Sequence, residues 1–309
     1  MTVLRKLLIF LTPVLLIVAG LEFFFYTQTN GLVHPPQKVE SVDPKDLLLS
    51  ANEIQFRSSE HMDLHGWLIL GKPGYPALIL AHDHGSNRAL TLSRLEGLIT
   101  GLNKQGYFIF LFDFRGHGES RVASSLGYSE ASDLEAALQA VLKYKQIGRR
   151  IGVLGIGMGA VAASRALQSV DEVKLVVLDS IYDSIPSRYA GRLVKDYPIL
   201  DSARPVLNTG FDWNLRFLLR VFTTELHLDQ EMPRLYPKTL LFVEKKPARP
   251  EVVALYESAR EPKELLQLEE TAADELIGDA RKIYTEQLIE KIGKYLPPVS
   301  NDKTIELPK

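Results

Sequence analysis

The stretch Gly155-Ile156-Gly157-Met158-Gly159 constrains this chain more than any other. The apolar run Ile151-Gly152-Val153-Leu154 precedes it, and the small-residue run Ala160-Val161-Ala162-Ala163 follows. An apolar run, a cluster of glycines and a small-residue run predict a strand, a sharp turn and a helix. Glycine at position 157 lets the turn pass through positive φ, where a side chain would be strained by roughly 1–3 kcal/mol. A helix that starts at such a turn presents unpaired backbone N–H groups, here at Met158, to a carbonyl or an anion.

The rest of the chain repeats the pattern of strand and helix. Residues 52–70 alternate partly between apolar and polar, which predicts an antiparallel pair with a turn near Glu60-His61-Met62-Asp63. Apolar strands are expected at 77–81, 107–112, 173–178 and 239–243, and a weaker one at 264–268. Helices are expected over 89–104, from an N-cap at Ser129 through Leu142, from Pro250, and over 277–296. Strands alternating with helices, and apolar throughout, imply an α/β domain: a mostly parallel, mixed sheet covered on both faces. Residues 181–236 break the alternation. They are rich in aromatics, arginine and proline, and read as an inserted helical cap. Tyr182, Tyr189, Tyr197, Phe211 and Trp213 would there either line an apolar pocket or simply pack.

At the N-terminus, Arg5 and Lys6 precede Leu7 to Tyr26, interrupted only by Thr12, Pro13 and Glu22. Twenty helical residues span about 30 Å, the thickness of a bilayer core. Residues 1–26 are therefore expected to form a transmembrane anchor with a cytoplasmic N-terminus and the globular domain exported. The alternative is a signal peptide cleaved near Val18-Ala19-Gly20, giving a secreted or periplasmic protein. A linker is expected over 27–50, the main domain over 51–298, and a polar tail over 299–309. The net charge of −2 gives no electrostatic case for nucleic acid, and the absence of cysteine excludes disulfides and thiolate chemistry.

Asp113-Phe114-Arg115-Gly116-His117-Gly118-Glu119-Ser120 follows an apolar strand, and His84-Gly85 follows another. With the turn at 155–159, these segments resemble the α/β-hydrolase superfamily from His65 to about Leu296. The resemblance is to its membrane-anchored esterase and prolyl-aminopeptidase-like serine hydrolase branch. It implies that residues 151–163 stand where the nucleophile elbow Gly-x-Ser-x-Gly belongs. Gly157 then occupies the serine position, Lys246 that of the acid and Ala273 that of the histidine. No histidine lies beyond His227, so no register supplies the missing base. A serine hydroxyl needs a base to take its proton and an acid to orient that base, and here all three are replaced. His84, Gly85, Ser86, Met158, Asp179 and Ser180 are the expected oxyanion-type or ligand pocket, and Gly155, Gly157 and Gly159 the structural elbow.

The same glycines admit a second reading. Gly155-x-Gly157-x-x-Ala160 fits a dinucleotide fingerprint, and Asp179 stands where a ribose-binding acid would. Two strand-helix units precede this turn, however, whereas that fingerprint opens its domain. His82, Asp83 and His84 suggest either a metal site or ordinary loop polarity. His117 and Ser120 are expected to fix the loop after the 107–112 strand. The combined expectation is a membrane-anchored hydrolase-fold protein that binds a small-molecule or acyl ligand, or a protein partner the sequence does not name. It requires no cofactor and no metal. The alternatives are an active hydrolase of ester or amide bonds, using Ser86, Ser180, Asp179 or His84, and a dinucleotide-binding protein.

Overall fold

The computed structural model describes residues 2–36, 42–119, 122–221, 226–272 and 276–297. The described chain forms two compact units. One holds Pro36–Asp183 and His227–Lys309, the other Met1–Pro35 and Ser184–Leu226.

The larger unit is built on an eight-stranded sheet: β1 (Ala51–Arg57), β2 (Asp63–Ile69), β3 (Ala77–Ala81), β4 (Phe108–Phe112), β5 (Ile151–Ile156), β6 (Val173–Asp179), β7 (Thr239–Lys245) and β8 (Lys263–Leu268). Its order is β1-β2-β4-β3-β5-β6-β7-β8. β1 pairs antiparallel with β2, and β2 with β4, while every pairing from β4 to β8 is parallel. The central strands β3, β4 and β5 are buried at every residue, as expected of uninterrupted apolar runs with helices on both faces. The strand order reverses between β3 and β5. Crevices outside the carboxyl ends of parallel strands open at such points.

Period-two alternation divides the core. Leu78, Leu80, Ile109, Leu111, Leu154 and Ile156 pack with α3 (Glu96–Lys104) and with Tyr284, Leu288 and Ile292 of α9 (Gly278–Tyr295). The intervening Ile79, Phe110 and Val153 face the other side, where α4 (Glu130–Leu142) and α5 (Met158–Ala166) pack together. α8 (Pro250–Ser258) lies between β7 and β8 in sequence.

Several sequence expectations need correction. The helix expected over 89–104 is two, α2 (Arg88–Arg94) and α3, because Leu95 leaves helical geometry. Asn87 caps α2 by accepting from Leu90 N–H. Ser129 precedes α4 as expected but makes no side-chain cap. The neighbouring Glu130 carboxylate instead accepts from the N–H groups of Ser125 and Gly127 and from the Ser124 hydroxyl, and so organises the turn. The linker expected over 27–50 is largely structured. α1 runs from Thr2 to Val33, and residues 44–47 form a 3-10 turn whose Leu47 packs on the core with Leu49.

The smaller unit contains α1, α6 (Ile185–Asp196) and α7 (Arg204–Leu219). Its inserted segment, 184–226, is narrower than the 181–236 expected for the cap, because the 3-10 turns at 228–230 and 232–235 belong to the larger unit. α1 outlasts Tyr26 because Phe25, Thr29 and Val33 form one buried face on it. Phe25 meets Phe211 of α7 edge-on, ring centroids 5.6 Å apart, and Glu22 accepts from the Asn214 amide at 3.3 Å. Leu11–Val33 is long and apolar enough to cross a membrane or to serve as a signal sequence.

One buried ion pair secures the loop after β4. The Arg115 guanidinium donates to both Asp133 oxygens of α4, at 2.9 and 2.7 Å, and to Glu60 at 2.6 Å. Removing one partner of such a pair leaves an uncompensated buried charge. Asp133→Ala is therefore expected to lower stability by about 3 kcal/mol in urea unfolding, and Asp133→Asn by less.

Candidate functional site

The turn at Gly157 leaves β5 and enters α5 with φ +51° and ψ −109°, the positive φ expected at an elbow. Its flanking glycines are required by packing. A Cβ at Gly155 would fall under 3.0 Å from the Gly159 carbonyl, and one at Gly159 under 3.0 Å from the Ala81 carbonyl. The first turn of α5 therefore presses against the carboxyl end of β3. Met158 N–H, one of the groups α5 leaves without a helical partner, points into the loop that follows β3.

That loop is held by two buried histidines. His82 Nδ1 lies 2.8 Å from the Asp83 carbonyl, and its Nε2 accepts from Phe114 N–H at 3.1 Å. His117 Nδ1 lies 2.9 Å from the Arg115 carbonyl, and its Nε2 accepts from Gly85 N–H at 3.1 Å. These partners assign each ring as neutral, with the proton on Nδ1. Burial pushes His82 down to about 3, and burial also lowers His117. His117 thus fixes its loop as expected; the companion Ser120 lies outside the described residues. Both His82 nitrogens serve the fold, which removes it from the metal reading. Glu53, His65 and Glu119 also approach one another. The Arg88 guanidinium already lies against them, 2.5 Å from Glu119 and 3.7 Å from Glu53.

The loop delivers Asp83 to the elbow. Asp83 Oδ1 accepts from His84 N–H and from Met158 N–H, each at 2.8 Å. Met158 N–H is the elbow donor that sequence reasoning nominated, and His84 belongs to the loop it named as the source of a second. The carboxylate also stands over position 157, where a Cβ would fall under 3.0 Å from its atoms. An anion at the start of α5 is favoured by the helix dipole as well as by the two hydrogen bonds. Sequence analysis placed Asp83 only among possible loop or metal groups. Its signal was the pairing of an acid directly before His84-Gly85 with a glycine at the elbow.

Asp179 ends β6 beside the turn, and its carbonyl accepts from Gly157 N–H at 2.8 Å. Its side chain is fully buried. Oδ1 accepts from the Ser180 hydroxyl, and Oδ2 from Tyr284 Oη–H and Ala272 N–H. Burial pushes Asp179 up to about 6, opposed by those three donors. Ser180 has φ +52° and lies 2.7 Å from Thr271 Oγ1. Ser86 is buried, with Oγ 3.5 Å from Thr91 Oγ1. The expected pocket residues thus do meet around the carboxyl ends of β3, β5 and β6, but Met158, Asp179, Ser180 and Ser86 are buried, while His84 and Gly85 are half-exposed. Thr271 and Tyr284 carried no local motif, since only tertiary folding brings them to Asp179.

At the other nominated positions, Lys246 is about half exposed and pairs with Glu269 at 3.6 Å. Glu244, two residues earlier, is buried and bonded through both oxygens by Arg249. Ala273 lies outside the described residues. The dinucleotide reading loses both its parts: Asp83 occupies the N–H group that would meet a pyrophosphate, and Asp179 spends both oxygens within the fold. Tyr182 is buried in the larger unit, its hydroxyl 3.3 Å from the Leu126 carbonyl. In the smaller unit Tyr189 and Phe211 are buried, and Tyr197 and Trp213 exposed.

The family described as the alpha/beta hydrolase family matches residues 65–291. Among curated proteins, the uncharacterized protein YfhR of Escherichia coli K12 is 26% identical over 173 residues, covering 53% of this chain and 55% of that protein. The chain spans about half the length of the curated relatives it matches. Among solved structures, an esterase of Pyrococcus furiosus superposes with a TM-score of 0.70 at 23% identity, covering 86% of this chain and 98% of that one. An alpha/beta hydrolase, GrgF, from a Penicillium species does so with a TM-score of 0.61 at 16% identity, covering 80% and 99%. At these identities the likenesses show a shared fold.

Asp179 should leave a signature in stability. Its folded pKa lies above the ordinary carboxylate value, so between about pH 4 and about pH 6 the folded state holds a proton that the unfolded state releases. Its contribution is full below that window and is lost as pH rises through it. In urea unfolding at a series of pH values, Asp179→Asn is expected to lack this decline, gaining on the wild type by a few kcal/mol, on the order of 3, between pH 4 and 7.

Proposed function

The chain belongs to the α/β-hydrolase family, and on that premise we propose that it is a membrane-anchored, non-catalytic member that acts by binding. The observation that carries this reading is Asp83. An acyl-transfer site keeps its two backbone donors open for the developing oxyanion. Here the protein's own carboxylate accepts from Met158 N–H, the donor that follows the elbow, and from His84 N–H in the loop after β3. Position 157 carries no nucleophile, and the same carboxylate fills the space a side chain there would need. Three further features support the reading: Lys246 in the acid's place, buried His82 and His117 with both nitrogens engaged, and Asp179 bonded by Ser180, Ala272 and Tyr284 rather than by an imidazole. A small-molecule or acyl ligand, or a protein partner, would then be held by surfaces other than the filled elbow.

The basic pair Arg5-Lys6 before the apolar stretch supports an N-terminus in the cytoplasm and a globular domain exported. The packing of Phe25, Thr29 and Val33 makes the later part of α1 integral to its compact unit, and these residues lie beyond the alternative cleavage position near Gly20.

Wild-type protein is expected to remain unlabelled by a fluorophosphonate probe and to leave a panel of acyl esters intact. Gly157→Ser is also expected to remain unlabelled, and to lose about 1–3 kcal/mol of stability from side-chain strain at positive φ, a loss that removing the Asp83 carboxylate does not restore. Labelling of the wild type that maps to Ser86 or Ser180, or ester turnover abolished by altering one of them, would establish the active reading instead.

A further inference from the structure

Within the smaller unit, α7 approaches α1 closely at Gly210, where a Cβ would fall under 3.0 Å from the Phe25 ring. Beside this contact lies a groove of about 490 Å³, walled by Val18, Leu21 and Phe25 of α1 and by Val206, Gly210 and Trp213 of α7. Residues 206, 210, 213 and 217 recur at helical spacing and so share one face of α7. On that face Val206, Trp213 and Phe217 are 57%, 70% and 73% exposed. The opposite side of α7 is satisfied, with Leu207, Phe211 and Leu215 buried. The stripe therefore is not needed to hold α7 in place.

What covers the stripe is indicated by what it adjoins. The α1 wall of the groove belongs to the apolar stretch Leu11–Val33, on which Leu15, Leu16 and Ile17 are each more than 60% exposed. An uncovered apolar surface of this extent marks contact with lipid or protein. If α1 sits in a bilayer, the groove and the α7 stripe are continuous with its lipid-facing surface. An indole on an amphipathic helix beside a spanning segment suits the headgroup boundary. The one carboxylate in the groove, Glu22, is already bonded by Asn214 of α7, as a polar group in lipid must be.

We propose that α7 is a second membrane-contact element, lying at the interface of the bilayer that holds α1, and that the α1–α7 groove takes a phospholipid acyl chain. This rests on the anchor reading of α1. The test uses the full chain in phosphatidylcholine vesicles whose acyl chains carry bromine, a contact quencher of indole, near either the headgroup or the chain end. Trp67→Phe leaves Trp213 as the only tryptophan. A control carries Ile17→Trp in a chain also bearing Trp67→Phe and Trp213→Phe. The expected result is loss of most Trp213 emission, greater with bromine near the headgroup, together with quenching of the control. Quenching of the control with Trp213 unquenched and emitting as in water would overturn the proposal and leave the anchor standing. A blue-shifted but unquenched Trp213 would also overturn it, in favour of a second copy of the chain covering the stripe. An unquenched control would remove the anchor reading and the proposal together. A phosphatidylcholine with a photoreactive acyl chain provides an independent measurement: crosslinks are expected within 205–217, and their absence there beside crosslinks in α1 would count against the groove.

Discussion

One carboxylate, Asp83, governs the centre of this molecule. It bridges two elements that the sheet brings together but does not itself join: the loop leaving β3 and the first turn of α5. Met158 is buried, where an unmade hydrogen bond costs on the order of 1–3 kcal/mol, while His84 lies in the half-exposed loop beside it. The Asp83 side chain meets both groups with a single carboxylate oxygen. The glycines at 155 and 159 make the bridge possible by letting the helix come near enough to share an acceptor with the loop.

The surrounding polar groups follow the same logic of internal satisfaction. His82 and His117 act as neutral struts, each spanning two backbone segments with its two nitrogens. Asp179 draws its donors from three places in the chain, the adjacent Ser180, the segment after β8 and helix α9. Glu244 is taken by Arg249. In each case a titratable group connects elements of the fold. Buried polar networks of this kind specify one arrangement when complete.

The sheet was legible in the sequence because its strands are continuous apolar runs, and the elbow because glycine and small-residue spacing is local. Gly157, Lys246 and the lack of a late histidine were also legible, being matters of residue identity at motif positions. Asp83's role was not, since it depends on a side chain turning back across a gap that only the tertiary fold closes. Ser129 shows the same limit on a smaller scale: the N-cap pattern named the right boundary, but the neighbouring Glu130 supplies the hydrogen bonds. The extension of α1 past Tyr26 was equally hidden. Its polar residues read as a linker, while Phe25, Thr29 and Val33 formed a face only in the presence of α7.

Asp83 and Gly157 also bear on each other. The carboxylate occupies space that a Cβ at position 157 would need, and accepts from the N–H group that follows it. Two positions related in this way are coupled, so a change at either is felt at the other. The room for a side chain at position 157 is therefore a property of the pair rather than of that position alone.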